Sequence, residues 1–377
     1  MNTVTQKTFA LGLVLISALG LSSRSQAASL IAWGSGPGTN CPTGLTNVVA
    51  IAAGSGHGLA LLVDGSMVAW GDNSYFQTNV PAGLSNVVAV AGGFYHSLAL
   101  KSDGTVAAWG RNTYSQTAVP AGLSNVVAIA GGENHSLALK GDGRAVNWGQ
   151  YSDGISSFFT NALPPTLTNT VAIAAGYNHD LMLTGDGTVI GWGLNNYGQT
   201  NVPPGTTNVI AIAAGGDDNL ALTRDGRLIS WGRNNWGQTN VPAGLTNLVA
   251  ITAGSDHNLV IKSQGTITAW GSNQSGQTNV PATASNVVAI AAGKDDSIAL
   301  SGAWPAALAA THPVCSQGKF SVSVATTRGR GYRLEFKDSL SDGNWKMLGP
   351  MPGDGTTKTL SDAAASAPKR FYRVRQW

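Results

Sequence analysis

Five of the six histidines, His57, His96, His135, His179 and His257, follow one another at intervals of 39, 39, 44 and 78 residues. Imidazoles repeated in this way could be metal ligands or general bases. The intervals argue against both. A zinc ion needs ligands converging within about 2 Å, whereas residues one repeat apart occupy equivalent places in separate structural units. Each histidine is therefore expected to hydrogen-bond a neighbouring strand. Recurrent tryptophans such as Trp109 and Trp231 read as packing residues, and the recurrent Asp-Gly pairs as turn chemistry. The chain has no nucleophile elbow, phosphate-binding glycine loop or zinc-helix motif. It reads as non-catalytic, with no cofactor and no metal.

The elements that hold these residues follow from a Trp-Gly pair at Trp33, Trp70, Trp109, Trp148, Trp192, Trp231 and Trp270, spaced by 39 residues except for one interval of 37 and one of 44. One unit, from Asn86, reads NVVAVAGGFYHSLALKSDGTVAAWGRNTYSQTAVPAGLS. Its apolar runs are too short for helices, Asp103-Gly104 separates two of them as a hairpin turn, and Pro120-Ala121-Gly122 ends the unit. This pattern predicts a four-stranded antiparallel meander with strands A (Val87 to Ala91), B (Ser97 to Leu100), C (Thr105 to Trp109) and a short D (Thr117 to Val119). Strand A is apolar on both faces and rich in small residues, which suits a crowded axis where sheets converge.

The expected fold is all-β, a seven-bladed β-propeller over residues 28–303. A and B patterns begin at Val48, Val87, Val126, Val171, Val209, Leu248 and Val287, but the last unit loses its Asp-Gly and Trp-Gly after Leu300. Leu30 to Gly34, in turn, reads as a C strand with no A or B before it. The N-terminal strands are expected to complete the last blade, which removes the free sheet edges of an open array. Cys41 and Cys315 both fall beside this composite blade in sequence, and a Cys41–Cys315 disulfide is expected to staple it. Two free buried thiols are the alternative.

A hydrophobic content of 43% excludes disorder, two cysteines exclude a disulfide-dense scaffold, and a net charge of +3 makes no case for nucleic acid. Lys7, the apolar run Ala10 to Leu21 and the small residues of Ser25-Gln26-Ala27 read as a signal peptide over residues 1–27. Its apolar run covers only ~18 Å of a ~30 Å bilayer core, so no membrane span is expected. The mature chain is expected to be secreted, extracellular or periplasmic, and to act as a monomer.

After a linker at 304–318 the composition shifts. Residues 319–377 hold 11 Lys+Arg against 5 Asp+Glu, whereas residues 28–318 hold 9 against 14. Alternating segments such as Phe320 to Val324, Tyr332 to Phe336 and Phe371 to Arg375 predict a small C-terminal β-sandwich. Its basic charge suits either attachment to an envelope polymer or packing against the acidic propeller.

The unit AGG-x-x-HSLAL-x-x-DG-x-V-x-x-WG-x-N-x-x-GQ resembles the repeat of the regulator of chromosome condensation family over residues 29 to about 303. That resemblance implies a seven-bladed propeller. The compact period closed by Gln-Thr-Asn-Val-Pro is more similar to a secreted bacterial branch that includes propeller-type beta-lactamase inhibitory proteins. Nuclear relatives act as guanine-nucleotide exchange factors, an activity not expected of an exported chain. Four departures stand out: Asp218 and Asp296 at the histidine position, Gln264 at the turn aspartate, and the longer stretch Gln150 to Thr168 in unit three.

In an up-and-down blade the A–B and C–D loops emerge on one face, and it is these loops that vary. Phe94, Tyr95 and Tyr177 lie on A–B loops, and Tyr75, Phe76, Tyr114, Tyr197 and Trp236 on C–D loops. Tyr and Trp give large contact area at low entropic cost, so this face is the candidate protein-binding surface. The beta-lactamase inhibitory relatives point to the same class of loops. Asp217, Asp256 and Asp295 add an acidic sector that suits a basic partner or a divalent cation. A lectin or a polysaccharide-active enzyme using the same face is the rival reading.

Overall fold

Each repeat folds because its apolar segments alternate with turn residues that fix the backbone. The computed structural model describes residues 29–152, 158–159, 163, 169–302, 310–316, 319–328, 330–338, 345–363 and 370–376. The expected signal peptide lies outside them, and none of the described helices is long and apolar enough to cross a membrane. In blade two, strands A (Val87–Gly92), B (His96–Lys101) and C (Val106–Gly110) pair antiparallel in that order. Gly104, at φ 78°, turns B into C, and the Asp103 carboxylate accepts the Thr105 N–H at 3.0 Å. An asparagine in the left-handed region precedes every A strand, from Asn47 (φ 60°) to Asn286 (φ 51°).

The blades are three-stranded, not four-stranded. The expected D segment, Thr117 to Val119, makes no ladder bonds. Asn112 Oδ1 accepts the Thr117 N–H at 3.0 Å, and the Val119 N–H turns back to the Thr117 carbonyl. Val119 packs sideways into the interface between blades two and three, so apolar burial is kept without a strand.

Seven such sheets form the ring, and the seventh is composite. Ser29–Gly34 pairs with Asp296–Ser301 in unbroken register, Ser29 opposite Ser301 and Gly34 opposite Asp296. A belt of backbone bonds around the axis links each A–B loop to the next. Ser55 N–H donates to the Phe94 carbonyl, Phe94 to Gly132, Glu133 to Tyr177, Tyr177 to Gly216, Ser255 to Gly293, and Lys294 back to Ser55 at 3.3 Å. Between blades, fully buried B-strand leucines such as Leu59 and Leu61 meet Trp109 of the next blade. Burying each such leucine contributes about 1.5–3 kcal/mol.

The C-terminal unit begins earlier than expected. Ala310–Ser316 is a strand paired with Lys319–Ala325, not a linker, and Thr357–Asp362 extends that sheet. A second sheet centres on Gly331–Lys337, flanked by Phe371–Gln376. Phe320, Val324, Leu334 and Leu360 join the two sheets in one core. Cys41 is a free thiol, so the expected disulfide is not formed. Cys315 lies opposite Phe320 within this unit, while Cys41 packs with Leu30 and Val48 in the propeller.

The unit packs on the face of the B–C turns. Arg328 donates to the Val63 and Val87 carbonyls at 3.1 and 2.9 Å, and the Met347 N–H donates to Gly185 at 2.9 Å. Glu335 accepts from Arg333 and Arg373 of its own unit at 3.1 and 2.6 Å and from propeller Arg224 at 3.4 Å. These contacts seat the unit on the propeller through backbone carbonyls and a propeller arginine, and among the described residues its basic charge is not what pairs with the ring.

Candidate partner-binding face

The C–D loops are set by a glutamine that sequence reasoning passed over. Gln77, Gln116, Gln199 and Gln238 are fully buried. Their Oε1 atoms accept the backbone N–H of Tyr75, Tyr114, Tyr197 and Trp236, at 2.8 to 2.9 Å. The Gln77 carbonyl also receives Trp109 Nε1 at 2.9 Å and Ser97 Oγ at 2.8 Å from the next blade. Each variable aromatic is thus mounted on a loop locked to its neighbour. The Gly-Gln recurrence was the available signal, since a buried amide at a fixed offset from a loop tip is a brace.

The histidines are latches between blades. Nε2 of His57, His96 and His257 lies 2.8 to 3.0 Å from the hydroxyls of Ser97, Ser136 and Ser297, and His179 meets Asn219 at 2.8 Å. Burial pushes His57, His96 and His257 down to about 4, 3 and 4, so these rings are neutral. His135 instead meets Asp180 at 2.9 Å, and Tyr151, from the longer stretch of unit three, stacks on His135 and donates to the same carboxylate. Asp218 continues the ring through Asn258 at 2.9 Å. These contacts bear out the structural reading, and among the described residues no cluster of His, Cys, Asp or Glu could hold a metal.

On the varied face the structure groups most of the expected aromatics. Tyr95 lies between Tyr75 and Phe94, with ring centroids at 4.9 and 4.5 Å, and Phe94 meets Tyr177 edge-on at 5.1 Å. Arg111 stands over Tyr75, Tyr95 and Tyr114, its guanidinium carbon 5.2, 5.6 and 5.0 Å from their centroids. Tyr177 is partly withdrawn, since it bonds Ser255 across the mouth of the axial channel. That channel holds about 290 Å³ and is walled by the ends of the A strands. Tyr197 and Trp236 sit farther round the ring and stay exposed.

The acidic sector is less bare than its sequence suggested. Arg233 stands 3.5 Å from Asp217 and 3.9 Å from Asp256. Burial holds both carboxyls above the usual range against the pull of Arg233, with Asp295 adding repulsion at Asp256.

A ring of seven repeated antiparallel sheets, latched blade to blade and carrying braced variable loops on one side, defines a seven-bladed β-propeller. The chain matches the regulator of chromosome condensation (RCC1) repeat over residues 48–77, 87–116, 171–199, 209–238 and 248–277. Five of its seven blades thus carry this repeat. No curated protein matches it significantly in sequence. Solved structures with the same fold include Prp20p from Saccharomyces cerevisiae, described with its binding to Gsp1p and histones, at 20% identity, TM-score 0.62, and 74% of this chain against 92% of that one. Yeast RCC1 (Prp20) in complex with Kap60 is 20% identical, with TM-score 0.60 over 79% and 97%. Human WBSCR16 is 19% identical, with TM-score 0.58 over 74% and 100%. These likenesses establish the fold.

Proposed function

We propose that this chain is an exported, non-catalytic propeller that binds a protein partner as a monomer through its A–B and C–D loop face. Phe76 carries the reading. Its backbone is left-handed, at φ 64°, where Gly198, Gly237 and Gly276 take the equivalent position in other blades. A bulky side chain held there costs about 1–2 kcal/mol. Burial does not offset that cost, because Phe76 is 67% exposed. A strained, solvent-facing aromatic on a braced loop is explained by a contact made outside the chain.

Its surroundings agree. Of seven large apolar side chains left exposed among the described residues, Tyr75, Phe76, Tyr197 and Trp236 all lie on C–D loops of one face. The opposite face is occupied by the C-terminal unit. Similar propellers that bind proteins, such as Prp20p with Gsp1p and histones, lend support by analogy only. Export rests on residues 1–27. The test is capture of proteins from periplasm and culture supernatant by the wild type and by Phe76→Asn and Trp236→Ala. A specific partner lost from both variants supports the face; capture unchanged in both overturns it.

A further inference from the structure

We infer that Arg111 is a carboxylate-recognition point on this face, and that the partner presents an aspartate or glutamate side chain to it. The inference rests on the binding face proposed above and adds the chemistry of the partner. Arg111 and Arg233 hold the same repeat position, directly after Trp-Gly in blades two and five. Arg233 has two intramolecular carboxylates, Asp217 and Asp256. Arg111 has no ion pair among the described residues, and its Nε is buried without an acceptor.

Its neighbours explain both facts. Three tyrosines from three loops surround the guanidinium at 5.0 to 5.6 Å. Ring faces attract the cation but accept no in-plane hydrogen bond, so the two Nη groups stay available for a carboxylate. The acids nearby are already engaged. Asp72 accepts from Ser74 and from Gln77 at 2.9 Å, and Glu133 from Asn178 at 2.9 Å. An arginine held by aromatic packing has lost much of its rotamer freedom before binding, and a bidentate carboxylate matches its geometry. Lysine could sit in the cage but would offer no such fork. The arrangement is that of a binding hot spot, an aromatic-rimmed arginine on the face that also exposes Phe76.

The test uses a phage-displayed library of cyclic random peptides panned on the immobilised full chain. Selected peptides are expected to be enriched in Asp or Glu and to bind Arg111→Gln at least tenfold more weakly. Replacing the peptide acid by its amide should cause the same loss on the wild type and little further loss on Arg111→Gln. Arg111→Lys, which keeps the charge, should recover only part of the binding and guards against a folding defect in the first variant. Peptides without acid enrichment, or peptides that bind Arg111→Gln as tightly as wild type, overturn the inference. If such peptides still lose binding on Phe76→Asn or Trp236→Ala, the face survives and the carboxylate does not. Indifference to all three substitutions, or no selected peptide, removes both.

Discussion

His57 Nε2 lies 3.0 Å from Ser97 Oγ across the boundary between blades one and two. Ser97 has one hydroxyl proton and gives it to the Gln77 carbonyl at 2.8 Å. The imidazole must then be the donor, which fixes the tautomer with hydrogen on Nε2 and leaves Nδ1 bare, as it is buried without a partner. The same logic applies to His96 with Ser136 and His257 with Ser297. Three latches therefore require neutral rings.

Acid should open the ring at an unusually high pH. Burial lowers His57, His96 and His257 to about 4, 3 and 4, below the unfolded value near 6.5. Below pH 6.5 the unfolded chain takes up protons that the folded chain refuses, so stability is full above that value and is lost as pH falls toward 4. Thermal melting between pH 7.5 and 5 should show a falling midpoint, above the range where ordinary carboxylates titrate. His96→Gln should flatten the dependence by about 1.4 kcal/mol per pH unit in this window. Equal pH slopes for wild type and His96→Gln between pH 6.5 and 5 would contradict the neutral-latch account.

The seam carries the opposite dependence. Asp296 takes the histidine position in blade seven, but its neighbour in blade one is Gly58, which offers no side chain. A side chain there is excluded, since a Cβ would fall 2.2 Å from the Trp70 ring. Asp296 is buried, its Oδ2 has no partner, and burial with Asp295 nearby raises its carboxyl to about 7. A raised value means stability is full below the unfolded value near 4 and is lost as pH rises toward 7. Asp296→Asn, uncharged throughout, should stabilise the chain by about 2–4 kcal/mol at pH 8 and change it little at pH 4. Equal melting midpoints at pH 8 would show that the closure tolerates the charge.

These latches mark where the sequence was readable and where it was not. The seven-fold count and the pairing of Leu30 to Gly34 with the last blade were legible because turn residues and Trp-Gly pairs hold one register, and a strand without neighbours needs a partner. Strand D was overread. Val119 has the apolar signature of a strand, but the Asn112 side chain takes the Thr117 N–H that a ladder would need. The cysteines were misplaced because distance along the chain does not say that residues 310–316 had already joined another sheet. The variable face was visible as variation. Its brace, Gln77, and its cation, Arg111, were not, since the Gln77 carbonyl takes Trp109 and Ser97 and Arg111 stands over Tyr75, contacts between blades that a single repeat does not contain.

Docking of the C-terminal unit turns on one buried carboxylate. Glu335 is fully buried and accepts from Arg333, Arg373 and Arg224, the last from the propeller. Removing the anion leaves three cations close together with reduced compensation, and breaking a buried ion pair from one side costs about 3–5 kcal/mol. Among the described residues the interface also has Arg328 on two carbonyls, Arg333 on the Ile210 carbonyl at 3.3 Å, Arg224 on the Trp345 carbonyl at 3.2 Å, and Met347 set into the core of blades four and five. Glu335→Gln should therefore loosen the unit while leaving the ring intact, since no bond between blades involves this residue. X-ray scattering should report a larger radius of gyration, and calorimetry a separate low-temperature transition for the C-terminal unit. A single transition at the wild-type temperature would show that Met347 and Arg328 suffice to hold the two parts together.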